Sequence, residues 1–134
     1  MKKIIFILFL FPCFLSGQNI DSLKLALKNT KHDTTRCNIL SNLIETENDD
    51  KVWAVYNEQL ITLAQKCAAT ASTTALKKFY LSLLAEAYNN SGFLAKQSGN
   101  MPKALEQYSK ALKIQEEIFN IRQSNFGLQR VYGI

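Results

Sequence analysis

Apolar residues along this chain recur at three- and four-residue steps, the spacing of a helix with one buried face. No stretch of any length alternates in the two-residue rhythm of a strand. The first predicted helix covers 22–28 and places Leu23, Ala26 and Leu27 on one face, with Asp21 positioned to cap it. Polar residues 29–33 close it. A second helix over 35–45 carries Ile39, Leu40, Leu43 and Ile44. The acidic turn 47–50 suits a helix start and leads into a third helix over 51–69. Its apolar face is Val52, Trp53, Tyr56, Leu60, Leu63, Ala64 and Cys67, and Trp53 and Tyr56 read as core residues. A small, hydroxyl-rich link at 68–74 precedes a long fourth helix over 75–97, with Phe79, Leu81, Leu83, Leu84, Ala87, Tyr88 and Leu94. Gly99 suits the left-handed position that ends a helix, Asn100 the next cap, and Pro102 a first helical turn. A fifth helix over 102–119 sets Ala104, Leu105, Tyr108, Ala111, Leu112 and Ile118 along one face. Residues 120–134 show neither cap nor periodicity and read as an irregular tail. The expected fold class is all-α.

The first 17 residues follow a different pattern. Lys2 and Lys3 precede an almost unbroken apolar run over 4–15, and small residues Ser16 and Gly17 follow. That is the layout of a signal peptide. As a helix the run rises roughly 18 Å at 1.5 Å per residue, against roughly 30 Å of hydrocarbon. Leu15 stands where a cleavage site prefers a small residue, so an uncleaved anchor over 4–16 is the rival reading. Pro12 before Cys13 fits a lipoprotein signal poorly. The expected localisation is therefore exported, periplasmic or secreted, with membrane attachment only through an uncleaved 4–16.

The 134-residue chain carries a formal charge of +5, which falls once Lys2 and Lys3 are removed. Its lysines are scattered and form no basic stripe with interleaved aromatics, so no nucleic-acid partner is expected. Cys37 and Cys67 remain after export. Their unequal distances from the connecting turn favour free buried thiols over a bridge. Two cysteines and His32, in a polar loop, are too few for a structural zinc site. No phosphate-cradling glycine loop, His-Glu-x-x-His or nucleophile with a supporting histidine is present. Glu116 and Glu117 are adjacent on a helix and diverge. No cofactor, metal or catalytic role is expected.

A shift of 52 residues lays Trp53 on Leu105, Tyr56 on Tyr108 and Leu60 on Leu112, with turn 48–51 on 100–103. The chain thus contains two related helix–turn–helix units, each too small to bury its own face alone. In the second, Tyr88, Gly92, Gly99-Asn100, Ala104, Tyr108 and Ala111 resemble the tetratricopeptide repeat (TPR) without a gap. Ser91 and Ala95 depart from that pattern, as does the absence of a proline near Glu116. The first unit keeps only the second-helix half.

The resemblance implies antiparallel helical hairpins stacked as a short TPR-like solenoid: 18–34 as short helix and loop, 35–69 as a degenerate hairpin and 75–119 as the good one. Together with the leader, this layout resembles the exported sensor region of TPR signalling proteins from Bacteroidetes-type bacteria. In such proteins further repeats and an output domain follow, so 120–134 reads as a truncated or frame-shifted end. The resemblance also implies a groove for a protein or peptide ligand, lined here by Glu86, Asn89, Phe93 and Lys96. The blander alternative packs Phe93 against a neighbour and leaves the three polar residues solvated. Function as a whole has three readings: a peptide-binding module, a self-associating or ligandless fragment, and an enzyme. Variants of the groove, sedimentation and a hydrolase screen separate them.

Overall fold

The computed structural model describes residues 19–132, with side chains as far as Asn125. The expected signal peptide over 1–17, and the rival anchor over 4–16, lie outside the described residues. Five helices follow one another: α1 (Ile20–Asn29), α2 (Asp33–Thr46), α3 (Asp50–Ala69), α4 (Thr74–Gln97) and α5 (Met101–Tyr132). Among the described residues there is no strand, and the fold class is all-α. No described helix is long and apolar enough to cross a membrane.

Each start has a local cause. Asn19, rather than Asp21, caps α1: its side chain accepts from the Asp21 N–H at 3.0 Å. Asp21 lies inside the first turn, where its charge opposes the helix dipole favourably. Asp49 caps α3 by accepting from Lys51, and Thr73 caps α4 by accepting from Leu76. His32 occupies the cap position of α2 without a side-chain bond and is exposed.

Extensive backbone packing joins helices that are consecutive in sequence. The main core draws Cys37 and Leu40 from α2, Leu60, Ala64, Cys67 and Ala68 from α3, and Tyr80, Leu81, Leu84 and Ala87 from α4. Leu23, Ile39 and Leu43 form a smaller cluster that docks α1. Side chains also tie α2 to α4 directly, through Thr34 Oγ1 and the Tyr80 hydroxyl at 2.8 Å. Cys37 and Cys67 are both free and buried. Burial pushes the Cys37 thiol up to about 12, with Cys67 and Asp33 adding to it. Burial and the neighbouring Asp33 carboxylate raise Cys67 as well. Burial thus favours the neutral thiol at both positions.

Two expectations about α5 require correction. The helix does not stop at 119 but runs to Tyr132. Ile114, Ile118 and Ile121 all pack against the main core, so burial carries the helix past the expected end. Leu105 and Leu112 do not share the buried face of Ala104 and Ala111; they are exposed. One residue is 100° of rotation, which moves them from the α4-facing side to the flank.

The α4–α5 turn depends on Gly99, the one described residue with positive φ, at 76°. Its N–H bonds the Lys96 carbonyl and that of Asn100 bonds Ala95. Space is not the constraint, because a Cβ at Gly99 would meet nothing within 4 Å. Gly99→Ala is therefore expected to cost about 1–2 kcal/mol, the left-handed penalty alone. Gly99→Asn should recover part of it, and urea unfolding of the pair tests this.

Candidate functional site

Helix α4 carries the sequence-predicted groove residues, and α5 fixes its orientation. Gly92 is buried, and the Tyr108 ring fills the space a side chain would occupy. A Cβ built there would lie 2.6 Å from Tyr108 Cε1 and 2.8 Å from Cδ1. Ala104 (0 % exposed) and Ala111 (2 %) flank that contact on α5. Small residues thus let the two helices approach, and one large ring fills the interval between them. Tyr88 is half-buried, with Lys110 Nζ 5.6 Å from its ring centroid, a cation–π distance. Lys110 also pairs with Glu106 at 2.6 Å. Both groups are surface-exposed, so that pair contributes little to stability.

The α3–α4 contact holds a residue that sequence reasoning missed. Asn57 is 1 % exposed in the middle of the apolar face of α3. Its amide donates to the Ala87 carbonyl at 2.9 Å and to Ser91 Oγ at 3.0 Å, and its carbonyl accepts from Asn90 Nδ2 at 3.2 Å. The available signal was an asparagine four residues after Trp53 and three before Leu60, on the face that had to be buried.

With α4 held on both sides, Glu86, Asn89, Phe93 and Lys96 all emerge on one exposed face. The side chains of Glu86, Asn89 and Lys96 have no hydrogen-bond or ion-pair partner among the described residues. Phe93 is 47 % exposed, half seated and half presented to solvent. The structure therefore brings these four together as a row but does not enclose them.

A concave site lies away from this row. A cleft of about 670 Å³ opens between α3 and α5 with α4 as its floor, lined by Lys51, Glu58, Tyr88, Ser91, Lys103 and Lys110 among others. Its charges are mixed, and Ser91 on its floor accepts from the buried Asn57 amide. Among the described residues no three His, Cys, Asp or Glu side chains converge as metal ligands would.

No family model, curated protein or solved structure matches the chain.

Proposed function

We propose that the chain is a protein- or peptide-binding module of stacked helical hairpins of the tetratricopeptide type, acting in an exported compartment as the input part of a signalling protein. The observation that carries this reading is the interlock of Gly92 with Tyr108. In the repeat pattern those positions are the small residue of the first helix and the aromatic of the second. Their contact leaves the row Glu86–Asn89–Phe93–Lys96 facing outward and unengaged.

The row has a definite chemistry. Phe93 offers half of an aromatic ring to an apolar side chain. Lys96 places a cation about 4.5 Å further along the axis, at 1.5 Å per residue. Asn89, one turn earlier, offers both a donor and an acceptor to a peptide backbone. The ligand class is a peptide with a bulky apolar side chain next to a carboxylate.

A peptide library panned against the full chain supplies the probe, and titration calorimetry measures it. Phe93→Ala is expected to weaken the best binder about tenfold, the loss of roughly 1.4 kcal/mol. Lys96→Ala should weaken it less, and less still at high salt. Parent affinity in both variants would show that the groove assignment is wrong.

A further inference from the structure

The cleft between α3 and α5 contains a buried polar side chain with nothing to bind. Gln107 is 9 % exposed, lies between Ala104 and Ala111 on α5, and lines the cleft. Its amide has no hydrogen-bond partner among the described residues. Buried amides in native structures are almost always paired, so an idle one at a cleft marks a place for a ligand.

Three contacts set the register of the helices around it. Glu117 pairs with Lys77 at 2.8 Å while Tyr108 meets Gly92, so α5 runs antiparallel to α4. On the other flank, Asn57 of α3 meets Ala87, Asn90 and Ser91. Lys51 comes six residues before Asn57, and Lys103 five before Tyr108. The two lysines therefore stand level, beside the C-terminal end of α4. Glu58 stands at the other end of the cleft, with Tyr88 and Lys110.

Charges without a partner are sorted by sign along this axis. Lys51 and Lys103 make no ion pair among the described residues, and neither does Glu58. The N-termini of α3 and α5 open at the lysine end, where their dipoles favour an anion. Asp50 is the acid there, and its carboxylate accepts from the Trp53 indole N–H at 2.8 Å. Lys110 shares the Glu58 end but is paired with Glu106.

We propose that the cleft binds a free peptide of about three residues, with its carboxylate between Lys51 and Lys103, its ammonium at Glu58 and a middle amide on Gln107. Seven residues of helix separate Lys51 from Glu58, about 10.5 Å. An extended peptide advances about 3.3 Å per residue, so three residues span that distance. Gln107 stands about 6 Å in from Lys103, level with the middle of such a chain. Its amide donates and accepts as a peptide group does. Ile61 and Leu94 give the cleft apolar walls for small side chains, and about 670 Å³ admits them. The site is separate from the row on α4. Ser91 on its floor is two residues from Phe93, a turn of about 200°, so the two lie on opposite sides of the helix.

Titration calorimetry of the full chain with trialanine tests this. Trialanine should bind and saturate. Its C-terminal amide and its N-acetyl form should each bind about tenfold more weakly, the scale of one lost charge-assisted hydrogen bond. In the double variant Lys51→Met, Lys103→Met the acid and amide forms should bind alike. In Glu58→Gln the free and acetylated forms should bind alike. All three positions are exposed, so helical circular dichroism should be unchanged. Gln107→Leu, which keeps the bulk and removes the amide, should weaken trialanine, and Phe93→Ala should not. Absence of binding at millimolar trialanine overturns the proposal. So does equal affinity for the capped peptides, or discrimination that the lysine and glutamate variants leave intact. Acetate binding as tightly as trialanine also overturns it, and reduces the cleft to a plain anion site.

Discussion

Asn57→Asp is expected to lower the unfolding free energy by about 3–5 kcal/mol at neutral pH, the cost of an uncompensated buried charge. The substitution is nearly isosteric, so packing changes little. What changes is the donor: the amide that serves the Ala87 carbonyl and Ser91 becomes a carboxylate. Its oxygen then faces a carbonyl oxygen across 2.9 Å in a site that is 1 % exposed.

The loss should depend on pH in a definite sense. Burial raises the introduced carboxyl above its unfolded value of about 4. At pH below that value it is protonated in both states and the deficit is smallest. The deficit grows as pH rises towards the folded value and is constant above it. Asn57→Leu removes the network without adding charge, and Asn90 and Ser91, both half-buried, keep access to water. It should cost clearly less. Urea unfolding of the three proteins between pH 4 and 8 measures this, and equal, pH-independent losses would contradict it.

Gly92→Ala is expected to cost about 1–3 kcal/mol, the range for overpacking a tight contact. On an exposed helix the same change stabilises by about 0.8–1 kcal/mol, because alanine is the better helix former. At this position the added methyl meets the Tyr108 ring at 2.6 Å, so the half-buried ring has to shift. The clash outweighs the propensity gain. Removing the ring reverses the sign. In a Tyr108→Ala background, Gly92→Ala should be neutral or stabilising, so the double-mutant cycle should show coupling of 0.5–3 kcal/mol. If the two changes are additive, the interlock does not fix the distance between α4 and α5.

The places where sequence and structure part company have identifiable causes. The start of α4 and the turn after it are legible because local chemistry decides them. Thr73 caps the helix, Gly99 takes the left-handed angle and Asn100 bonds the Lys103 N–H. Nothing comparable stops α5 at 119. No proline follows Pro102. Contacts of Ile114, Ile118 and Ile121 with the core extend the helix, and extension adds one hydrogen bond per residue once a helix exists.

Which face of α5 is buried was legible only in part. Ala104 and Ala111 point inward because α4 presents a glycine and can approach, a tertiary fact that the hydrophobic pattern of α5 does not contain. Leu105 and Leu112 fit the same pattern one residue later and point elsewhere. Asn57 was passed over for a related reason: periodicity scores apolar positions and is blind to a polar side chain whose partners sit thirty residues away, at Ala87 to Ser91. Of the candidate site, the row on α4 was taken from the resemblance to the repeat, and its three- and four-residue steps add only that the four residues share one helix face. Its half-seated phenylalanine was not legible, because exposure depends on the neighbouring helices.

The consecutive packing of the helices bears on how the chain acquires its shape. Each element finds its main partner in the element just made, so the loop that must close to form each contact is short. Closure entropy grows with loop length, and helical folds rich in such near contacts reach the native state within microseconds to milliseconds. Thr34 and Tyr80 are the farther-flung pair, joining α2 to α4 only after α3 has turned the chain between them. Assembly can therefore proceed as a growing stack, one helix settling on the last, with the tyrosine hydroxyl closing the first completed turn of it.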